Sequence, residues 1–269
     1  MDREAFWSHL YDWIVGSFEG HPFGQRPYTV GLSAPQGAGK STMMTYLCQM
    51  AADVGIRAAT VSVDDFYLTH RELVDLASRH PDNPYFRHRG YPGTHDVNLG
   101  TRTLRALKNI HSLGAVDVPA YDRSAFSGKG DRRPSSGWPR VTAPLDILIF
   151  EGWLLGFRPV APAALPNRHF LAVNDYLAAY SNWVTFLDAF IWLEPLDPHF
   201  VIEWRIEAEE QAKASGRVGM EAGEVDAFVR AFLPAYDTYL SGLGGEPLIP
   251  GPALRILIGR DRLPVGREL

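Results

Sequence analysis

A glycine-rich octapeptide, Ala34-Pro35-Gln36-Gly37-Ala38-Gly39-Lys40-Ser41, constrains this chain more than any other feature. A short apolar run, Tyr28 to Ser33, leads into it, and Ser41 to Asp53 follows as a helix with Gly55 just beyond. A second strand-like run, Arg57 to Val63, is rich in Ala, Thr and Val. Strand, turn, helix and strand in that order form a βαβ unit, which requires a parallel sheet.

The octapeptide fits the pattern G-x-x-x-x-G-K-[ST], except that Ala34 stands at its first position. Gly37 and Gly39 let the backbone curl until its N–H groups converge on an anion. The helix that starts near Lys40 adds its positive end. In such a loop Lys40 bridges the β- and γ-phosphate oxygens, and Ser41, or failing it Thr42, offers a hydroxyl to Mg²⁺. Pro35, Gln36, Gly37, Ala38, Gly39, Lys40, Ser41 and Thr42 are therefore the expected nucleotide cradle, with ATP and Mg²⁺ as cofactors.

Further strands are expected at Leu145–Phe150, Ala189–Leu193 and Leu254–Ile258, with a short one at Val116–Pro119. Helices are expected at His70–Arg79, Leu99–Ser112, Asp175–Leu187, Asp197–Ser215 and Glu221–Leu240, the last broken or kinked at Pro234. Phe6, Leu10, Trp13, Ile14 and Phe18 mark a leading helix within residues 1–24, stopped by Gly20, Pro22 and Gly24. Five parallel strands with helices on both faces give a three-layer α/β fold. No linker divides residues 1–269, and 46% hydrophobic content supplies one sizeable core.

The net charge of −5 gives no bulk attraction to a polyanion, so nucleic acid is not an expected partner. Cys48 is the only cysteine, which excludes an intramolecular disulfide and a multi-cysteine zinc site and suits a reducing compartment. The acidic start Met1-Asp2-Arg3-Glu4 resembles neither a signal nor a transit segment, and no stretch reaches the roughly 18 apolar residues of a membrane span. The expectation is a cytoplasmic protein without a membrane partner that acts on a small molecule.

A loop of this kind needs a carboxylate at a neighbouring strand end to hold the metal or its water. Glu151, after Ile147-Leu148-Ile149-Phe150, is the leading choice, and Asp146 falls at the wrong end of that strand. Asp64 and Asp65 end the second strand, where ligands of open α/β sheets bind. Asp64 is the first choice for a base or metal partner, and Asp65 the second. Two Pro/Gly/Arg-rich loops within residues 80–143 form the expected acceptor side. They carry Arg87, Arg89, His95 and Asp96, then Tyr121, Asp122, Lys129 and Arg132. Together with Asp65 and Tyr67 they suit an acceptor bearing hydroxyls and a negative group, because arginine pairs bidentately with a carboxylate. Arg205, with Lys213 and Arg217, is placed to close a helical lid (197–220) over the phosphates.

Several segments, in order, resemble one family. They are Ala34–Ser41, Val63-Asp-Asp-Phe-Tyr-Leu-Thr69, Gly93-Thr-His-Asp96, Pro119–Phe126 with Gly128–Arg132, Phe150-Glu-Gly-Trp-Leu-Leu-Gly-Phe157 and Phe232-Leu-Pro-Ala-Tyr236. The family is D-glycerate 3-kinase of the plant and fungal type, within the wider group of uridine kinase, phosphoribulokinase and pantothenate kinase. The resemblance implies ATP, Mg²⁺ and phosphorylation of the 3-hydroxyl of D-glycerate. It also implies sheet order 2-3-1-4-5, Asp64 as base and Glu151 as the carboxylate after the third strand. The tail Gly259–Leu269 is a candidate border of the adenine. Other acceptors served by the same machinery are a nucleoside, pantothenate or a sugar phosphate. An ATP-binding regulatory switch without an acceptor is the alternative from another class.

Overall fold

The computed structural model describes residues 2–18, 21, 25–214 and 230–266. Its strands are β1 (Tyr28–Ser33), β2 (Ala58–Ser62), β3 (Ala115–Asp117), β4 (Tyr121–Asp122), β5 (Asp131–Arg132), β6 (Arg140–Thr142), β7 (Ile147–Gly152), β8 (Ala189–Pro195) and β9 (Ala253–Ile258). Five of them form one parallel sheet in the order β2-β7-β1-β8-β9. Counted along the chain within that sheet, the order is 2-3-1-4-5, as expected. Every residue of β1 and β7 is buried, because central parallel strands are covered on both faces.

The register positions the chemistry. Glu151 of β7 lies opposite Leu32 of β1 and Ser62 of β2, so three carboxyl-terminal strand ends meet at one place. Helix α2 (Lys40–Asp53) leaves from that edge after β1. Helix α1 (Arg3–Gly16) is N-capped by Asp2 and buries Phe6, Trp7, Leu10, Tyr11 and Ile14; the Trp7 and Tyr46 rings lie 5.3 Å apart between it and α2. Helix α3 (His70–Arg79) opens on a capping box between Thr69 and Glu72, and Asp96 caps α4 (Val97–Lys108). One apolar cluster runs from Phe6 to Ile258.

Some expected boundaries shift. The single helix expected over Leu99–Ser112 is two, α4 and a short α5 (Ile110–Leu113). The expected helix at Asp175–Leu187 is α6 (Phe170–Leu177), a 3₁₀ turn and α7 (Ser181–Val184). The second acceptor-side loop, Tyr121–Ala143, carries short strands. β4 and β5 form a hairpin, reversed through positive φ at Phe126, Ser127, Gly128 and Gly130, and β6 pairs with β3. Helix α8 (Phe200–Ala214) matches the start of the expected lid, while residues 215–220, Arg217 and the side chain of Lys213 lie outside the described residues. So do residues 221–229 of the helix expected at Glu221–Leu240, and residues 19–20, 22–24 and 267–269 of the two expected ends. Of the break or kink expected at Pro234, the structure has a break: a turn at residues 231–232 precedes the helix Leu233–Tyr239, and Pro234 lies in its first turn, where a missing N–H costs nothing. Among the described residues no helix is long and apolar enough to cross a membrane.

Candidate active site

The glycines of the octapeptide answer to two separate demands. Gly37 and Gly39 have φ of +78° and +85°, a region L side chains rarely adopt. A Cβ on Gly37 would also come within 2.6 Å of Trp204 Cβ, because α8 packs directly on the loop. Trp204 is fully buried, and Arg205 follows it on the turn of α8 nearest Gly37. Two distant residues fasten the loop. The Gln36 N–H donates to the Tyr236 hydroxyl at 3.0 Å, and Arg262 Nε donates to the Gly37 carbonyl at 2.9 Å. Ser41 and Thr42 are exposed at the first turn of α2, where unpaired backbone N–H groups gather. Lys40 Nζ folds back on the carbonyls of Ala34 and Pro35, at 3.1 and 3.0 Å. Burial lowers its pKa, against the opposing pull of Glu151 and Asp64.

The carboxylates face this lysine. Glu151 is buried, and its Oε2 has no hydrogen-bond partner among the described residues. Burial raises its pKa while Lys40 and Ser62 draw it down. Asp64 and Asp65 sit in the 3₁₀ turn Val63–Phe66, capped by Ser62, whose Oγ accepts the Asp64 N–H at 3.2 Å. Asp65 Oδ2 in turn accepts the Ser62 N–H at 2.9 Å, so Asp65 serves the cap. Its pKa is pushed up to about 6, first by burial and then by Asp64 and Glu151, against the Ser62 hydrogen bond. Burial also pushes Asp64 up, but Arg123, Lys40 and the Tyr67 hydroxyl outweigh it and hold that carboxyl below its ordinary value. Arg123 donates to Asp64 Oδ2 at 2.8 Å. Ser41, Ser62, Asp65, Arg123 and Glu151 line one cavity.

The acceptor-side residues divide into two sets. Tyr67, His95 and Tyr121 meet beside Asp64. The Tyr67 ring stacks on His95 at 4.3 Å and meets Tyr121 edge-on at 5.1 Å. His95 Nδ1 hydrogen-bonds the Tyr180 hydroxyl at 2.7 Å, and burial drives its pKa down to about 3, so the ring is neutral. The second set is engaged in holding the loops. Arg132 donates to the Tyr67 carbonyl at 2.8 and 3.1 Å and to Asp96 at 3.4 Å. Asp96 also accepts the Leu99 N–H at 2.9 Å. Arg89 donates to the carbonyls of Gly128 and Lys129, both at 2.7 Å, and lies over the Tyr121 ring. Asp122 accepts the N–H and hydroxyl of Ser124, at 2.9 and 2.6 Å. Arg87 and Lys129 are exposed. Arg132, Asp96, Arg89 and Asp122, expected on the acceptor side, bind the protein's own groups: backbone carbonyls and N–H groups, with Arg132 also on Asp96 and Asp122 also on the Ser124 hydroxyl.

Three residues of the site escaped the sequence reading. Arg123 was visible only as the neighbour of Tyr121-Asp122 in the Pro119–Phe126 segment. Tyr236 closes the Phe232–Tyr236 segment, which marks it without saying what it touches. Arg262 lies in the tail expected to border the adenine, but nothing there pointed to its contact with Gly37, which spans the chain.

Comparison with known proteins places this geometry. A model of the phosphoribulokinase / uridine kinase family matches residues 29–159. The chloroplastic D-glycerate 3-kinase of Arabidopsis thaliana is 40% identical over 248 residues, which are 89% of this chain and 54% of that protein. The chain thus spans about half the length of that relative. An uncharacterized kinase of Schizosaccharomyces pombe, mug58, is 36% identical over 252 residues, covering 89% of this chain and 91% of its own. The solved structure of D-glycerate 3-kinase from Cryptococcus neoformans var. grubii is 31% identical, with a TM-score of 0.84 over 98% of this chain and 97% of that one. The chain belongs to the D-glycerate 3-kinase group of P-loop kinases.

Proposed function

We propose that this protein transfers the γ-phosphoryl group of ATP to a hydroxyl of a small hydroxy acid, and that the acceptor is D-glycerate, giving 3-phosphoglycerate. The observation that carries the reading is the convergence of Lys40, Glu151 and Asp64, which sense one another's charge at one end of the sheet. A loop that only bound nucleotide would not need a second, ionised carboxylate beside the acceptor loops. The names of the Arabidopsis and Cryptococcus relatives support glycerate as the acceptor.

The residues fit ATP and Mg²⁺. Positive φ at Gly37 and Gly39 and the exposed first turn of α2 leave N–H groups for phosphate oxygens. Glu151, whose buried Oε2 lacks a partner among the described residues, and Ser41 line the same cavity and would hold the metal or its water, with Asp64 as the further carboxylate within the cluster. When bound, Mg²⁺ supplies positive charge against the phosphate oxygens. Lys40 must leave the carbonyls of Ala34 and Pro35 to reach the β- and γ-phosphates. Asp64, kept ionised by its neighbours, accepts the proton of the attacking hydroxyl. Tyr67, His95 and Tyr121 wall the acceptor on one side of Asp64. Arg205, on the turn of α8 beside Gly37, adds positive charge near the transferring group.

ADP release measured against D-glycerate, uridine, pantothenate and ribulose 5-phosphate tests the assignment. Turnover should require glycerate. Turnover with another acceptor alone would reassign the substrate, and ATP hydrolysis indifferent to all four would leave a nucleotide switch.

A further inference from the structure

Arg123 sits in the tight turn of an anchored hairpin. At the hairpin's base, Asp131 accepts the His70 N–H at 2.8 Å, the Arg133 N–H donates to the Ala120 carbonyl at 2.8 Å and Arg132 grips the Tyr67 carbonyl. Towards its tip the Phe126 ring stacks on His70 at 4.0 Å. Asp122, by binding Ser124, turns the chain between them so that Arg123 projects onto Asp64. The contact uses one guanidinium nitrogen; the arginine side chain is 60% exposed and the aspartate 27%. Arg123 therefore reaches Asp64 from the solvent side, with donors left over.

Charge makes this position decisive. Asp64, Asp65 and Glu151 put three carboxyl groups in the cluster, against Lys40 and Arg123. Lys40 is committed to the nucleotide side. An anionic acceptor entering this mouth meets net repulsion unless a cation receives it. Of the other arginines read as acceptor-binding, Arg89 and Arg132 are engaged by backbone carbonyls and Arg87 is exposed without contact to Asp64 among the described interactions.

We propose that Arg123 is the residue that reads the acceptor's carboxylate, and that it covers Asp64 until that carboxylate arrives. In a hydroxy acid of three carbons the carboxylate and the terminal hydroxyl are close enough for one to meet Arg123 while the other meets Asp64. Transfer of the guanidinium from Asp64 to the substrate exposes the base only when an acceptor with the right charge is present. An uncharged polyol cannot make that exchange, so the same contact admits glycerate and discriminates against glycerol.

The inference rests on the hydroxy-acid kinase reading, and wild-type protein tests that reading separately. Steady-state rates are measured for wild type, Arg123→Gln and Arg123→Lys with D-glycerate and with glycerol, at saturating ATP, after matched melting curves. The wild type should use glycerate far better than glycerol. Arg123→Gln should raise KM for glycerate at least about tenfold, the scale of one lost charge-assisted hydrogen bond, with KM for ATP unchanged. Its preference for glycerate over glycerol should shrink by a similar factor. Arg123→Lys should fall between, since it keeps the charge and loses the fork. If wild type uses glycerate while Arg123→Gln keeps both its KM and its preference and loses only kcat, Arg123 merely positions Asp64 and the proposal fails. A wild type that turns over glycerol but not glycerate overturns the parent reading as well.

Discussion

Arg262 donates its Nε–H to the carbonyl of Gly37 at 2.9 Å, although 225 positions separate the two residues. The same guanidinium pairs with Glu207 at 2.6 Å and lies over the Trp204 ring. One side chain from the tail after β9 thus ties the phosphate loop to α8. Replacing Arg262 with Ala should raise KM for ATP about tenfold, the scale of one hydrogen bond from a charged donor. It should leave KM for the acceptor unchanged. Nucleotide and acceptor titrations on the one variant check this; an effect on both, or on neither, contradicts the clasp.

Gly37→Ala is the sharpest steric test of the loop. A Cβ there would approach Trp204 Cβ to 2.6 Å at a φ of +78°. Neither the backbone of α8 nor a strained φ yields cheaply, so the loss should reach about 2 kcal/mol or more. Gly39 has nothing within 4 Å of its Cβ position, so Gly39→Ala bears only the φ strain, about 1 kcal/mol. Denaturant midpoints of the pair read the difference directly, and equal losses would sink the packing argument.

Asp65 should destabilise the fold at neutral pH. Its carboxyl titrates near 6, above the 3.8 of a free aspartate, mainly because it is buried. A raised carboxyl lets the native state hold its proton longer than the unfolded chain does. The stability this brings is full below about pH 4 and is lost as pH rises through about 6. Asparagine is neutral throughout and still accepts the Ser62 N–H. Asp65→Asn should therefore gain about 1–2 kcal/mol over wild type at pH 8, discounted for partial solvent access, and almost nothing at pH 4. Urea melts at the two pH values decide it; a pH-independent difference refutes the assignment.

Asp64 behaves in the opposite sense, since its neighbours hold it below the ordinary value. It is ionised at neutral pH, and in the proposed transfer it takes a proton once Arg123 turns to the acceptor. Asp64→Asn should lower kcat by about 10²–10⁴ while nucleotide affinity stays within about threefold. A kcat within tenfold of wild type would remove Asp64 from the chemistry.

The fold was largely legible because its signals are local. The run Tyr28–Ser33, the octapeptide and the helix after it identify a βαβ unit, and the resemblance carried the sheet order. What escaped depends on contacts between distant segments. Ser62, Asp64 and Asp65 are adjacent in sequence, yet only the capping geometry separates the aspartate that serves the backbone from the one that meets Arg123. Arginines at 89 and 132 share the composition of binding residues, but the loops they belong to need cations for their own carbonyls. Secondary structure within Tyr121–Ala143 was hidden because its strands are two or three residues long; β4 and β5 pair across a turn with positive φ, and β6 pairs with the distant β3.

Phosphorus NMR of the protein with ATP, Mg²⁺ and D-glycerate follows the transferred group itself. A phosphomonoester resonance is expected whose proton coupling places the phosphate on the terminal hydroxyl carbon, growing with ADP in equal amount and absent with Lys40→Met. Inorganic phosphate alone, released at a rate that glycerate does not change, would contradict it.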